Sequence, residues 1–147
     1  ILAGPPDLVL DCIDSFTPKL ELLTAAVTRG VPVLSSMGAA LRREPGQVAF
    51  GLLEEVTHCP LARRLRKFLR RRGLTTAIPC VYSTEAVDAA CVRPAEGKVA
   101  GELERGRPRN ALGSLPTLTG LFGLLLAHEA LRYLCADAFP GAPASWP

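Results

Sequence analysis

A short acidic segment near the start of the chain combines the residue types that metal–nucleotide chemistry requires. Residues 8–12 are mostly apolar and follow a Gly-Pro-Pro turn, so they predict a short buried strand. Asp14 comes two residues after this strand, with Ser15 beside it and Lys19 nearby. Ligands of open parallel sheets bind at the carboxyl ends of the strands. A carboxylate at this place suits a hydrated Mg²⁺ that carries nucleotide phosphates.

Asp14 has two interpretations that spacing alone leaves open. An aspartate just before a helix commonly caps it, because its side chain accepts hydrogen bonds from the first free backbone N–H groups. The same carboxylate at a strand end is a candidate ligand for a metal–nucleotide complex. Both interpretations fit the sequence equally well.

The cysteines offer one candidate nucleophile. There are five, and because they form no C-x-x-C pair, they encode neither a zinc ribbon nor a dithiol redox motif. Reduced thiols in the cytoplasm are the simplest expectation. Cys80 is a candidate covalent nucleophile, although a small buried thiol at a strand start is the favoured interpretation. Cys91 is a weaker candidate, and Cys12 and Cys135 are predicted to lie in the core. The two histidines lack metal-ligand spacing.

A second charged feature is a basic helix predicted over residues 60–72. Its apolar positions, expected to face inward, are Leu61, Leu65, Phe68 and Leu69. Its basic residues, expected to face outward, are Arg63, Arg64, Arg66, Lys67, Arg70, Arg71 and Arg72. Such a face either contacts the phosphates of an RNA or is merely solvated, and the sequence leaves both open.

The elements that position these residues follow from periodicity. Thr17 is predicted to cap a helix whose first residue is Pro18, and Gly30 is expected to end it in the left-handed conformation. The apolar stripe of this helix is Leu20, Leu23 and Val27. A strand predicted over 31–35 completes a βαβ unit, which requires a parallel sheet.

Length and composition agree with one α/β domain. The chain has 147 residues, 48% of them hydrophobic, with a net charge of +3. Further strands are predicted over 47–52 and 79–83, a long charged loop over 93–113, and a fully buried helix over 115–135. We therefore expect a Rossmann-like, doubly wound, mostly parallel sheet with flanking helices over residues 1–137, followed by a proline-rich tail over 138–147. No segment is long and apolar enough to predict a membrane span.

Four segments resemble the ThiF/MoeB/HesA (ubiquitin-activating-like) adenylating superfamily. Residues 7–15, Asp-Leu-Val-Leu-Asp-Cys-Ile-Asp-Ser, are similar to its D-x-V-x-D-x-x-D-[NS] segment. Residues 60–74 look like the D-P-L-A-R-x-x-R-x-x-L-R-x-x-G helix of a dehydratase branch, and residues 80–85 resemble the C-V-[FY]-S-x-E of that branch. Its closing helix is similar to residues 112–115 and 119–123.

The resemblance covers about residues 5–136 and implies an activity. In the superfamily the last aspartate of the first segment helps to bind Mg-ATP, and Asp14 occupies its place, with Ser15 and Lys19 beside it. Members transfer AMP from ATP to a carboxylate. In the dehydratase branch this carboxylate belongs to threonylcarbamoyladenosine of a tRNA, and attack by an internal nitrogen then closes a ring. ATP and Mg²⁺ are the cofactors, and the basic helix would contact the tRNA.

The resemblance also carries departures and further expectations. Cys59 stands where the family usually has aspartate, and residues 37–40 hold fewer glycines than its G-G-A-G. Because the chain opens at Ile1 on an interior-type strand, we expect the Gly-rich nucleotide loop of the family upstream, and these residues alone to be inactive. The family further implies a cytoplasmic homodimer and sulfur-transfer proteins as possible partners.

Two other functions stay open. A related enzyme class adenylates the Gly-Gly tail of a ubiquitin-like sulfur carrier, and often carries two zinc-binding C-x-x-C pairs. The later pair is not found in this chain, which together with the basic helix favours RNA over a carrier protein. A catalytically silent, Rossmann-like interaction module is the third possibility.

Overall fold

The computed structural model describes residue 4, residues 6–87 and residues 112–138. Cys91, nearly all of the charged loop predicted over 93–113, and the proline-rich tail beyond residue 138 lie outside the described residues. The principal elements are β1 (Val9–Asp11), α1 (Phe16–Thr28), β2 (Val33–Ser36), β3 (Val48–Leu52), α2 (Pro60–Arg71), β4 (Pro79–Ser83) and α3 (Pro116–Leu134). Short 3₁₀ turns occupy Pro45–Gln47 and Ala136–Ala138.

The four strands form one open sheet in the order β1-β2-β4-β3. The β1–β2 and β2–β4 pairs are parallel, whereas β3 runs antiparallel to β4 at the edge. Helices α1 and α2 cover one face of the sheet, and α3 covers the other. This architecture confirms the predicted Rossmann-like, mostly parallel sheet with flanking helices.

Helix α1 begins earlier than predicted. Ser15, in an extended conformation, is its N-cap, so the predictions of Thr17 as cap and Pro18 as first residue were wrong by two positions. Proline is tolerated throughout the first turn, since the first four N–H groups have no partner within the helix. The predicted end is confirmed: Gly30 has a φ of +63°, and its N–H donates to the carbonyl of Val27.

Helix α2 matches its prediction closely. It begins at Pro60, and Leu65 and Leu69 are buried against the sheet. Cys59 is its N-cap, and its sulfur accepts a hydrogen bond from the N–H of Ala62 at 3.5 Å. The thiol therefore takes the capping position at which the family usually has an aspartate.

Helix α3 is amphipathic rather than buried all round. Phe122 and Leu126 lie in the core, but Leu124 is 72% exposed and Leu131 is 53% exposed. The prediction of a fully buried helix was therefore wrong for these residues, because the sheet covers only one side of the helix. None of the helices in the described ranges is long and apolar enough to cross a membrane.

Candidate functional site

The carboxyl ends of β1 and β2 are joined by a buried polar cluster centred on Asp11. This aspartate is the last residue of β1 and is fully buried. One carboxylate oxygen, Oδ1, accepts the N–H of Ile13 at 3.0 Å. The other, Oδ2, accepts the hydroxyl of Ser35 at 2.7 Å and forms an ion pair with the Lys19 ammonium at 2.7 Å. The carboxylate therefore connects two neighbouring strands to helix α1.

Lys19 lies inside this cluster rather than at the surface. Its side chain is fully buried, and its Nζ donates to the carbonyl of Ile13 at 3.3 Å and to that of Ser36 at 2.8 Å. With Asp11 these acceptors account for all three N–H bonds of the ammonium. The predicted contact between Lys19 and a nucleotide is therefore not available in this arrangement.

Asp14 and Ser15 occupy the predicted place at the mouth of the site. Asp14 is exposed, and among the described residues its carboxylate has no hydrogen bond or ion pair. Ser15 is half-buried and takes the N-cap position itself, without a side-chain capping bond. The capping interpretation of Asp14 is thus not realised, and the free N–H groups at the start of α1 remain available.

Helix α2 brings cations to the same end of the sheet. The guanidinium of Arg64 lies 4.0 Å from the ring centroid of Phe16, the first residue of α1. The Phe16 ring also contacts Phe68 edge to face, with centroids 5.4 Å apart. Since Phe16 follows Asp14 by two residues, the first turns of α2 lie beside the candidate site.

The seven basic residues, six in α2 and Arg72 at its C-cap, do not form one uniform face. Arg66 is half-buried, and its Nη1 donates to the carbonyls of Leu53 at 2.9 Å and Val56 at 2.7 Å. Its predicted outward direction was therefore wrong, because its side chain folds back onto the loop between β3 and α2. Arg72 is exposed but forms an ion pair with Glu21 at 2.6 Å. The remaining exposed cations are Arg63, Arg64, Lys67, Arg70 and Arg71.

The motif at residues 80–85 ties the loop after β2 to the end of β4. Glu85 accepts the backbone N–H of Arg43 at 2.8 Å and that of Glu44 at 3.1 Å through Oε2. These two hydrogen bonds favour the charged form and hold the pKa of Glu85 below its usual value. In return, the Ser83 hydroxyl accepts the N–H of Glu85 at 3.1 Å. The motif therefore has a structural role at this edge.

A cavity of about 590 Å³ opens beside the first turn of α2. Its lining includes His58, Cys59 and Arg63. The Nη2 of Arg42 donates to the carbonyl of His58 at 2.6 Å, while its Nε and Nη1 are buried without a partner among the described residues. The guanidinium of Arg42 is therefore held next to His58, which lines this cavity. No group of three or more potential metal ligands from His, Cys, Asp and Glu occurs in the described part of the chain.

Cys80 lies away from solvent in the middle of the sheet. It is fully buried in β4, where it pairs with Ser35 of β2. Burial, with the nearby Cys59 as the next largest cause, raises the pKa of the Cys80 thiol to about 12. At neutral pH the thiol stays protonated, and a protonated thiol is a poor nucleophile. Cys12 and Cys135, in contrast, are exposed, so their predicted core positions were wrong.

Replacing Cys80 by serine is expected to retain most of the activity of the intact protein. The buried thiol is not ionised at neutral pH, so the Cys80 sulfur is not expected to act as a nucleophile. Activity should be measured per mole of folded protein, as judged by circular dichroism, because a buried hydroxyl costs about 1–3 kcal/mol unless it finds a partner. Complete loss of activity in a folded variant would instead indicate a covalent step through the sulfur.

Sequence analysis missed the role of Asp11 and Ser35. One sequence feature pointed to the cluster: Lys19 lies four residues before Leu23, so it shares the inward face of α1. A lysine on an inward face requires a buried acceptor, and Asp11 is the nearest acidic residue at the end of an apolar strand. The Ser35 hydroxyl became recognisable only from the strand register, which places it opposite Asp11.

Comparison with known proteins gives consistent matches. A model of the ThiF family matches residues 1–144. The tRNA threonylcarbamoyladenosine dehydratase 2 of Saccharomyces cerevisiae is 35% identical over 130 residues, which cover 80% of this chain and 29% of that protein. The tRNA threonylcarbamoyladenosine dehydratase of Escherichia coli is 26% identical over 143 residues, which cover 88% of this chain and 52% of that protein.

A solved structure extends the match to three dimensions. The crystal structure of the E. coli tRNA N6-threonylcarbamoyladenosine dehydratase, TcdA, in complex with ATP superposes with a TM-score of 0.70 at 25% sequence identity. The match covers 92% of this chain and 50% of that chain. The chain therefore spans about half the length of the E. coli protein and less than a third of the yeast protein.

Proposed function

Because the chain belongs to the ThiF family, we propose that the protein uses Mg-ATP to adenylate a carboxylate, and that this carboxylate belongs to threonylcarbamoyladenosine in tRNA. Exposed Asp14 carries the proposal: it lies at the carboxyl end of β1, without a partner among the described residues and beside the cationic start of α2. The relatives named tRNA threonylcarbamoyladenosine dehydratase support the choice of substrate.

The residues at this edge fit a metal–nucleotide complex. Asp14 offers an exposed oxygen ligand, which is the type that Mg²⁺ prefers. The start of α1 offers free backbone N–H groups, since Ser15 does not cap them with its side chain. Mg²⁺, when bound, would neutralise charge on the phosphates. The chain itself would orient the nucleotide between Asp14 and the first turn of α1.

The proposed reaction has two covalent steps. An oxygen of the substrate carboxylate attacks the α-phosphorus of ATP, the bond to the bridging oxygen breaks, and pyrophosphate leaves. A nitrogen of the same modified nucleoside then attacks the activated carbonyl carbon and loses its proton. The carbon–oxygen bond to the phosphate breaks, so AMP departs with one oxygen of the original carboxylate. The nucleoside has then lost one molecule of water overall. During both steps the cationic residues of α2 would hold the tRNA beside the site.

The substrate is tested by incubating tRNA that contains threonylcarbamoyladenosine with the intact protein and Mg-ATP. Mass spectrometry of the digested nucleosides is expected to show a product lighter by one molecule of water, with AMP and pyrophosphate formed in equal amounts. A reaction without ATP serves as the control. An unchanged nucleoside, together with AMP attached to the Gly-Gly end of a sulfur carrier in a parallel reaction, would assign the protein to the carrier-activating class instead.

A further inference from the structure

We infer that Lys19 and Asp11 act together as positioning residues that hold Asp14 at the metal–nucleotide site, and that Lys19 does not itself contact the nucleotide. The inference rests on the proposed function, since it concerns how the same site is built. It differs from the expectation that Lys19 binds the nucleotide directly.

The first argument is the saturation of the Lys19 ammonium. Its three acceptors belong to Asp11, Ile13 and Ser36, at 2.7, 3.3 and 2.8 Å. An ammonium has three N–H donors, so a phosphate could be bound only after one of these bonds breaks. The full burial of the side chain makes that exchange more costly, since an internal acceptor would lose its partner.

The second argument is where the pair holds the chain. The N–H of Ile13 donates to Asp11, and the carbonyl of Ile13 accepts from Lys19. The carbonyl of Ile13 belongs to the peptide bond that leads to Asp14, and this bond is planar. The pair therefore fixes the backbone immediately before Asp14 from both sides and directs its carboxylate to the exposed mouth of the site.

The third argument is energetic. A buried ion pair loses hydration, and its net effect on stability is often no better than that of apolar side chains of the same size. The Asp11–Lys19 pair lies at the strand ends where ligands of this sheet type bind. Its position thus fits precise placement of a ligand-binding residue better than a contribution to core stability.

The experiment compares four variants of the intact protein: Lys19→Met, Asp14→Ala, the double variant, and Leu23→Ala. Leu23 is fully buried one turn along the same helix, so its truncation loosens α1 but removes none of the hydrogen bonds of the cluster. Affinity for ATP is measured by calorimetry with Mg²⁺ and with EDTA, at a temperature at which each variant is folded.

A positioning role predicts three results. Lys19→Met weakens Mg-ATP binding about 10–100-fold, as is typical when the partner of a metal ligand is removed. The double variant binds no more weakly than Asp14→Ala, since both changes remove the same interaction. In EDTA, Lys19→Met changes ATP affinity by less than about twofold. The control variant Leu23→Ala keeps its affinity for Mg-ATP, although its melting temperature falls.

Other outcomes separate the inference from the proposed function. Additive losses in the double variant, or a weaker affinity in EDTA, would show that Lys19 contacts the phosphates. If Lys19→Met lost no more Mg-ATP affinity than Leu23→Ala does, the ion pair would have only a structural role. If Asp14→Ala itself has no effect, the proposed nucleotide site fails. Should Lys19→Met not fold, Ser35→Ala removes one hydrogen bond to Asp11 and should still lower Mg-ATP affinity; unchanged affinity there would overturn the inference.

Discussion

Under the proposed function, replacing Asp14 by alanine is expected to lower ATP consumption by the intact protein by at least about two orders of magnitude, because the nucleotide site would lose its exposed metal ligand. The fold should be almost unaffected. Asp14 is exposed, and among the described residues it has no hydrogen bond or ion pair whose loss would lower the stability of the fold. Surface substitutions of this kind change the free energy of unfolding by about 0.5 kcal/mol or less.

A matched control comes from the other end of the same strand. Asp7 is also exposed and precedes β1, so Asp7→Ala removes the same charge about 15–20 Å away. Pyrophosphate release and calorimetry of Mg-ATP binding should be compared for the two variants, with the melting temperature as the measure of fold. Normal turnover and unchanged affinity in Asp14→Ala would remove Asp14 from the site. Equal losses in both variants would point to a general effect of charge.

The first half of the chain was predictable because local rules and global packing agree there. The βαβ unit, the glycine that ends α1 and the inward face of α2 all followed from short-range patterns. The start of α1 was less well defined. Pro18 is compatible with any position of the first turn, so it could not distinguish Ser15 from Thr17 as the cap.

Where the prediction was wrong, the cause lay in long-range contacts. The direction of the Arg66 side chain depends on two carbonyls at residues 53 and 56, which the helical period of α2 does not reveal. The exposure of Leu124 depends on how much of α3 the sheet can cover. Composition predicts that a helix is apolar, but only the packing partners decide which of its sides are buried.

The candidate site was predictable in outline and not in detail. Asp14 lies at the expected place because strand ends in a parallel sheet can be inferred from the sequence. The cluster behind it could not be inferred fully, since it joins residues from two strands and a helix. The roles of Asp14 and Lys19 differ for this reason: one is exposed, and the other is committed to internal partners.

Under the proposed function, reversing three charges on α2 is expected to weaken tRNA binding at least about tenfold at low salt. Arg63, Lys67 and Arg70 are exposed and recur at the spacing of one helix face, and none of them is in an ion pair within the described ranges. Arg72 is left unchanged because it already pairs with Glu21, and its reversal would place two acidic residues together. The triple variant to glutamate should remain folded, since all three side chains point to solvent.

The salt dependence of binding gives the sharper test. Each phosphate contact releases about one counterion, so the slope of log affinity against log salt should become shallower by about 2–3 in the triple variant. Two single variants with the same charge change serve as a matched pair. Lys67→Glu lies on α2, and Arg29→Glu lies at the C-terminal end of α1. Only Lys67→Glu should change the slope, by about one counterion. Superimposable curves for all variants would mean that this face of α2 is only solvated, whereas an equal change in Arg29→Glu would reflect net charge rather than a binding surface.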